Sequence, residues 1–170
     1  MKTKTLMFLT SVHYAVLAII AAFAMTAAVA ADPGGDLDYA IKNGGNDQTR
    51  AAARLLHRGD AEAAIPILNG VVASASRTAL RKIAYSNLCA AHAMQGDAAS
   101  ALAACNEALA LDGGYWEALV NRGKAHSLAG DSAAALTDLR AAEALRPDDK
   151  LISRHIAALE ANQGRAGGGL

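Results

Sequence analysis

The chain has 170 residues, 53% of them apolar but only 4% aromatic, and a formal net charge of zero. That length holds one domain, two at the outside, and an apolar share made mostly of Ala and Leu points to closely packed helices and away from sheet. Lys2 and Lys4 are the only charged side chains in residues 1–31, so the remainder carries a small acidic excess with no basic stripe, which argues against nucleic acid as a partner.

The first element is a targeting segment. Lys2 and Lys4 form a positive start, Thr5 to Ala31 carries no charge, and Ala28 and Ala30 give the small-x-small pattern of a signal-peptidase site before Asp32 and Pro33. Residues 1–31 therefore read as a signal peptide, or as an uncleaved anchor, since roughly 20 apolar residues span a bilayer. Either way residues 32–170 cross the membrane, and the membrane is a partner only through this segment if it stays uncleaved. Residues 32–46 read as a flexible linker.

From there the chain repeats. Gly96-Asp97 recurs as Gly130-Asp131, Asn87 as Asn121 and His92 as His126, all at a shift of 34 residues, with Ala101, Leu102 and Ala108 matched by Ala135, Leu136 and Ala142. A looser earlier copy carries Gly59-Asp60, with three surplus residues before the second copy that the turn-like run Ser74 to Arg77 is expected to absorb. In each Gly-Asp pair, Gly can take the left-handed conformation that ends a helix, and Asp can cap the next. The pattern predicts helices near 47–57 and 61–73, 80–94 and 98–111, then 116–128 and 132–145, with Pro66 expected to kink the second. Asp148 and Asp149 can cap a seventh helix from about 150 to 162, amphipathic through Leu151, Ile152, Ile156 and Leu159, before a flexible Gly-rich tail at 164–170.

Cys89 and Cys105, the only cysteines, sit nearly equidistant from the Gly96-Asp97 turn, at roughly 11–13 Å along antiparallel helices. In an exported protein this juxtaposition predicts a disulfide; the alternative is two small core residues. None of the five histidines falls in a metal-binding spacing, so no metal or cofactor is expected, and the absence of a nucleophile elbow, phosphate loop or Cys-x-x-Cys motif argues against an enzyme. A thiol-exchange protein is the weakest of the functional readings.

These residues resemble the tetratricopeptide repeat (TPR) family, in its exported bacterial type. Small residues stand at the family's three small positions as Ala52, Ala64 and Val71, then Cys89, Ala101 and Ala108, then Gly123, Ala135 and Ala142, with Leu68, Cys105 and Leu139 at its large apolar position and Pro147 at its closing proline. The resemblance implies an all-α, right-handed solenoid at 47–163: three TPR-like helix hairpins (about 45–78, 82–115 and 116–149) and a C-terminal capping helix (150–163). It also implies a concave groove, lined by the first helix of each hairpin. Carried over, the partner-binding groove comprises Ile83, Ser86, Asn87, Ala90 and Met94 with Glu117, Val120, Asn121, Lys124 and Leu128, and the first copy offers Thr49, Ala53, Leu56 and His57. Ala90 is expected to face solvent. Asn87 and Asn121 either hydrogen-bond a ligand's backbone or stabilise the junction between repeats. Of the family's clamp for a terminal carboxylate only Asn87 is present, which argues against that ligand. The implied function is a protein–protein interaction module in the periplasm or envelope, binding an unidentified protein or peptide; the alternative is a structural part of an envelope assembly using other surfaces.

Overall fold

The computed structural model describes residues 39–167, with side-chain environments as far as residue 163. The expected signal segment, most of the linker and the last three residues lie outside the described residues. What is described is all helical: α1 (Asp47–His57), α2 (Ala61–Ser74), α3 (Thr78–Met94), α4 (Ala98–Leu111), α5 (Trp116–Leu128), α6 (Ser132–Leu145) and α7 (Lys150–Gly167). They form three hairpins, α1–α2, α3–α4 and α5–α6, closed by α7 as a cap.

Each hairpin turn is built the same way. Gly59, Gly96 and Gly130 have φ of 81°, 79° and 84°, the left-handed region that a residue with a Cβ avoids. At each turn the N–H of the following Asp donates back to the carbonyl of Leu55, His92 or His126, and the Gly N–H donates to Leu56, Ala93 or Ser127, which satisfies carbonyls the helix end would leave bare. The Asp60, Asp97 and Asp131 carboxylates then accept from the N–H of Ala63, Ser100 and Ala134 and so cap the second helices. The hydrogen bond from Ser100 holds the Asp97 carboxyl below the usual carboxylate range. Asp149 likewise accepts from Leu151 N–H at the start of α7.

Two expectations about element bounds are corrected. The surplus before the second copy is not a loop. Only Ala75 to Arg77 separate α2 from α3, and α3 has 17 residues where its counterpart α5 has 13, so the insertion is an added helical turn at the start of α3. Helix α2 runs through Pro66 as expected, the ring removing a single backbone donor. Helix α7 runs on to Gly167, past the expected start of the flexible tail.

Packing is sequential, each helix against the next, and the first helices α1, α3 and α5 also touch one another as one layer. Close approach is possible because the contact positions are small: Ala52, Ala64, Ala101, Ala108, Ala135 and Ala142 are all fully buried. Within the hairpins one contact is made in three ways. Ala52 and Leu68 both lie in the core of the first hairpin. In the third, a Cβ on Gly123 would lie 3.0 Å from Leu139 Cγ, so Leu139 fills the space a side chain would need. In the second, the matched positions hold Cys89 and Cys105, with Sγ atoms 2.10 Å apart, at disulfide distance. A two-pronged ion pair adds to the third hairpin: Arg122 Nε and Nη2 donate to Asp138 at 2.8 and 2.7 Å, and Arg122 Nη1 reaches Asn106 on α4. The Asp138 hydrogen bond raises the Arg122 pKa and fixes the charge there.

Candidate functional site

The layer formed by α1, α3 and α5 is occupied by the chain's own residues 39–44. This segment is no helix. Ile41 N–H donates to Tyr39 C=O at 2.9 Å, closing a three-residue turn about Ala40, and the chain then opens through Lys42 to Gly44. Its backbone is held at alternate residues, one per hairpin. Asn121 on α5 accepts from Ala40 N–H at 2.9 Å and donates to Ala40 C=O at 3.3 Å. Asn87 on α3 accepts from Lys42 N–H at 3.0 Å and donates to Lys42 C=O at 3.1 Å. On α1, the Thr49 hydroxyl donates to Gly44 C=O, and Arg50 Nη1 donates to Gly45 C=O at 2.8 Å. A carboxamide carries one acceptor and two donors, so a single Asn can satisfy both groups of one peptide residue.

The side chains of the segment are matched as well. Lys42 Nζ lies 3.1 Å from Glu117 Oε1, and the Glu117 side chain is only 4% exposed. Lys124 Nζ stands 4.6 Å from the centroid of the Tyr39 ring, a cation–π distance, and burial raises the Tyr39 hydroxyl pKa. Ala40 is buried, in a cluster with Val120, Leu139 and Ile152. Gly45 lets the chain leave the groove and enter α1. Its φ is +87°, and a Cβ there would meet Leu80 Cδ2 at 2.9 Å.

The two asparagines differ. Asn121 Nδ2 also donates to Ser86 C=O at 3.1 Å, bridging α5 to α3, whereas the bonds of Asn87 go to the segment. Asn121 thus stabilises the junction between repeats, and both asparagines bond main-chain groups of the chain's own segment. Residues 32–46 are not wholly a free linker either, because residues 39–45 are anchored. In the sequence Tyr39-Ala40-Ile41 is a short apolar run ahead of Gly44-Gly45, in a stretch otherwise polar enough to read as connection.

The remaining groove residues are placed as follows. Glu117 (Lys42), Lys124 (Tyr39), Asn87 and Asn121 face the segment, and Ser86 supports Asn121. Ile83 packs with Tyr115 and Ala118, and Met94 packs against the core of the first two hairpins. Val120, Thr49, Ala53 and Leu56 are fully buried, while His57 is exposed. Leu128, one turn beyond Lys124, is 39% exposed. Ala90 does not face solvent: it is fully buried, because α3 is the central helix and packs on α1, α2, α4 and α5. Elsewhere on α3, Lys82 bonds Asp112 at 2.6 Å, which lowers the Asp112 pKa, and Lys82 Nζ stands 4.4 Å from the Tyr115 ring centroid. Among the described residues no cluster of three or more His, Cys, Asp or Glu could hold a metal ion, and no helix is long and apolar enough to cross a membrane.

Comparison with known proteins bears on the fold. No family model matches the chain, and no curated protein matches it. Among solved structures, the NMR structure of the first TPR domain of human RPAP3 superposes with a TM-score of 0.64 at 17% identity, over 72% of this chain and 94% of that one. The NMR structure of the second TPR domain of human RPAP3, in complex with the HSP70 peptide SGPTIEEVD, superposes with a TM-score of 0.57 at 22% identity, over 66% of this chain and 92% of that one. The arrangement of paired helices is the TPR fold.

Proposed function

We propose that this chain is an exported member of the TPR family, and that it is a non-catalytic protein-interaction module whose layer of first helices binds a peptide segment of a partner. The observation that carries this is the paired engagement of Asn87 and Asn121 with main-chain groups of a non-helical segment. Such contacts recognise backbone and leave the side chains to set specificity. The second RPAP3 domain, solved in complex with a peptide, supports peptide binding by a domain of this fold. Its acidic peptide is a poor guide to the ligand here, because Glu117 presents a carboxylate in this groove. Export to the periplasm or envelope is supported by the start of the sequence and by a cysteine pair at disulfide distance, which suits an oxidising compartment.

Two measurements test the reading. A photoreactive side chain at Leu128, exposed one turn beyond Lys124, should cross-link a partner polypeptide in the source cell, while one at exposed Glu107 on α4 should not. Cross-links confined to Glu107 would transfer the function to other surfaces, as a structural part of an assembly. Intact mass of protein recovered from the envelope should lack the first 30 or 31 residues. Recovery of full-length chain from membranes would establish an anchor, and recovery from the cytoplasm alone would remove export.

A further inference from the structure

The segment in the groove is attached to the groove's own first helix, and Tyr39, Ala40, Ile41 and Lys42 each meet a partner there. We propose that Tyr39–Gly44 is a tethered occupant, and that the external ligand it gives way to is a peptide with aromatic, small, apolar and basic residues in consecutive positions. The inference rests on the groove being the peptide site. It adds what the ligand must look like and what competes with it.

Each subsite defines one requirement. The Lys124 ammonium at the Tyr39 ring favours an aromatic face. The enclosed Ala40, 5% exposed, leaves room for nothing larger than a small side chain. Glu117 is the most discriminating. Its carboxylate is almost wholly buried and would lose its ion-pair partner if Lys42 left and nothing basic replaced it. The asparagines add hold without sequence preference, because they touch only main chain.

The segment is also built to leave. Tyr39 and Ile41 are only partly buried and Lys42 is exposed, so little apolar area holds it in place. Its occupancy comes from the tether: a short linker keeps a segment at an effective concentration of about millimolar. A free peptide making the same contacts must compete with that, so its apparent affinity falls by the fraction of grooves left open. Gly45 sets the tether's geometry, since only a glycine tolerates its φ and its approach to Leu80.

The test uses the full chain and a fluorescein-labelled synthetic peptide copying residues 36–44. Ala40→Arg with Lys42→Glu should expel the segment, by bulk at the enclosed site and by like charge at Glu117. The released chain should bind the peptide at least about tenfold more tightly than wild type does. The same peptide carrying Lys42→Glu should bind at least about tenfold more weakly, and Glu117→Lys in the released chain should restore it. Should the double variant melt early, Lys42→Glu alone, at a half-exposed side chain, makes the same comparison. Equal affinity for wild type and released chain would show that the segment is no competitor and overturn the proposal. Equal binding of the acidic and basic peptides would overturn the ligand class while leaving a peptide groove intact. Binding of no peptide, with cross-links still forming at Leu128, would overturn this proposal and spare the interaction module. A wild-type dimer at micromolar concentration that the double variant lacks would mean that the occupant comes from a second copy.

Discussion

Replacing Cys89 and Cys105 together by alanine should lower the stability of the domain by about 3 kcal/mol, the chain-entropy value for a loop of about 15 residues. In a domain of this size that is a fall in Tm of about 10 °C. The two residues are fully buried, on α3 and α4, and their Cα atoms are 5.2 Å apart. The second hairpin depends on the link more than its neighbours would, because Leu68 and Leu139 stand where it has Cys105. Alanine at both sites leaves that hairpin without the large side chain its sisters use. Far-UV circular dichroism should remain helical, since the Gly-Asp turns and the alanine-lined contacts persist. Protein purified without reductant should show no reactive thiol after denaturation. Two titratable thiols per chain, or a double variant that melts with wild type, would remove the disulfide from the account.

How much of this was legible in the sequence depended on how local the physics is. The Gly-Asp turns were readable because their geometry is decided by two adjacent residues: one tolerates positive φ, the other offers a carboxylate to the next helix. The cysteine pair was readable because its spacing about such a turn fixes its level on two antiparallel helices. The three-residue surplus was misplaced for a reason of the same kind. Ser74 to Arg77 has turn-like composition, but Thr78 to Arg81 joins α3 as an extra turn, whose Leu80 packs against the core and beside Gly45. The burial of Ala90 was not legible, because a repeat position fixes a face of its own helix and not how many helices surround the middle one. The occupied groove was not legible at all. Ala40 bonds Asn121 across 81 residues of sequence, and nothing periodic links those two positions. What the sequence did offer was a pair of asparagines at one repeat position, and the amide chemistry that lets them hold a backbone.

That pair gives the second large effect, because the two copies should respond unequally to the same change. Asn121→Ala removes two bonds to Ala40 and one to Ser86 C=O inside a fully buried site, and leaves a cavity where the carboxamide was. At about 1 kcal/mol for each bond, the loss should reach about 2–4 kcal/mol. Asn87→Ala also removes two bonds, but both go to Lys42, whose main chain can turn back to water. Asn87 is as fully buried and also leaves a cavity, but it makes no bond to Ser86, so its cost should be about 1–3 kcal/mol, smaller than that of Asn121 by that bond. Urea unfolding of each variant measures the totals, and amide hydrogen exchange places them. With Asn87→Ala the Lys42 amide should lose protection while Ala40 keeps its own, held by Asn121. With Asn121→Ala the Ala40 amide should lose protection while Lys42 keeps its own, held by Asn87, and protection should also weaken around Ser86, where α5 loses its bond to α3. Equal destabilisation by the two variants would mean that the bond to Ser86 contributes nothing at the repeat junction. Unchanged exchange at both amides in both variants would mean that the segment is not held through the asparagines.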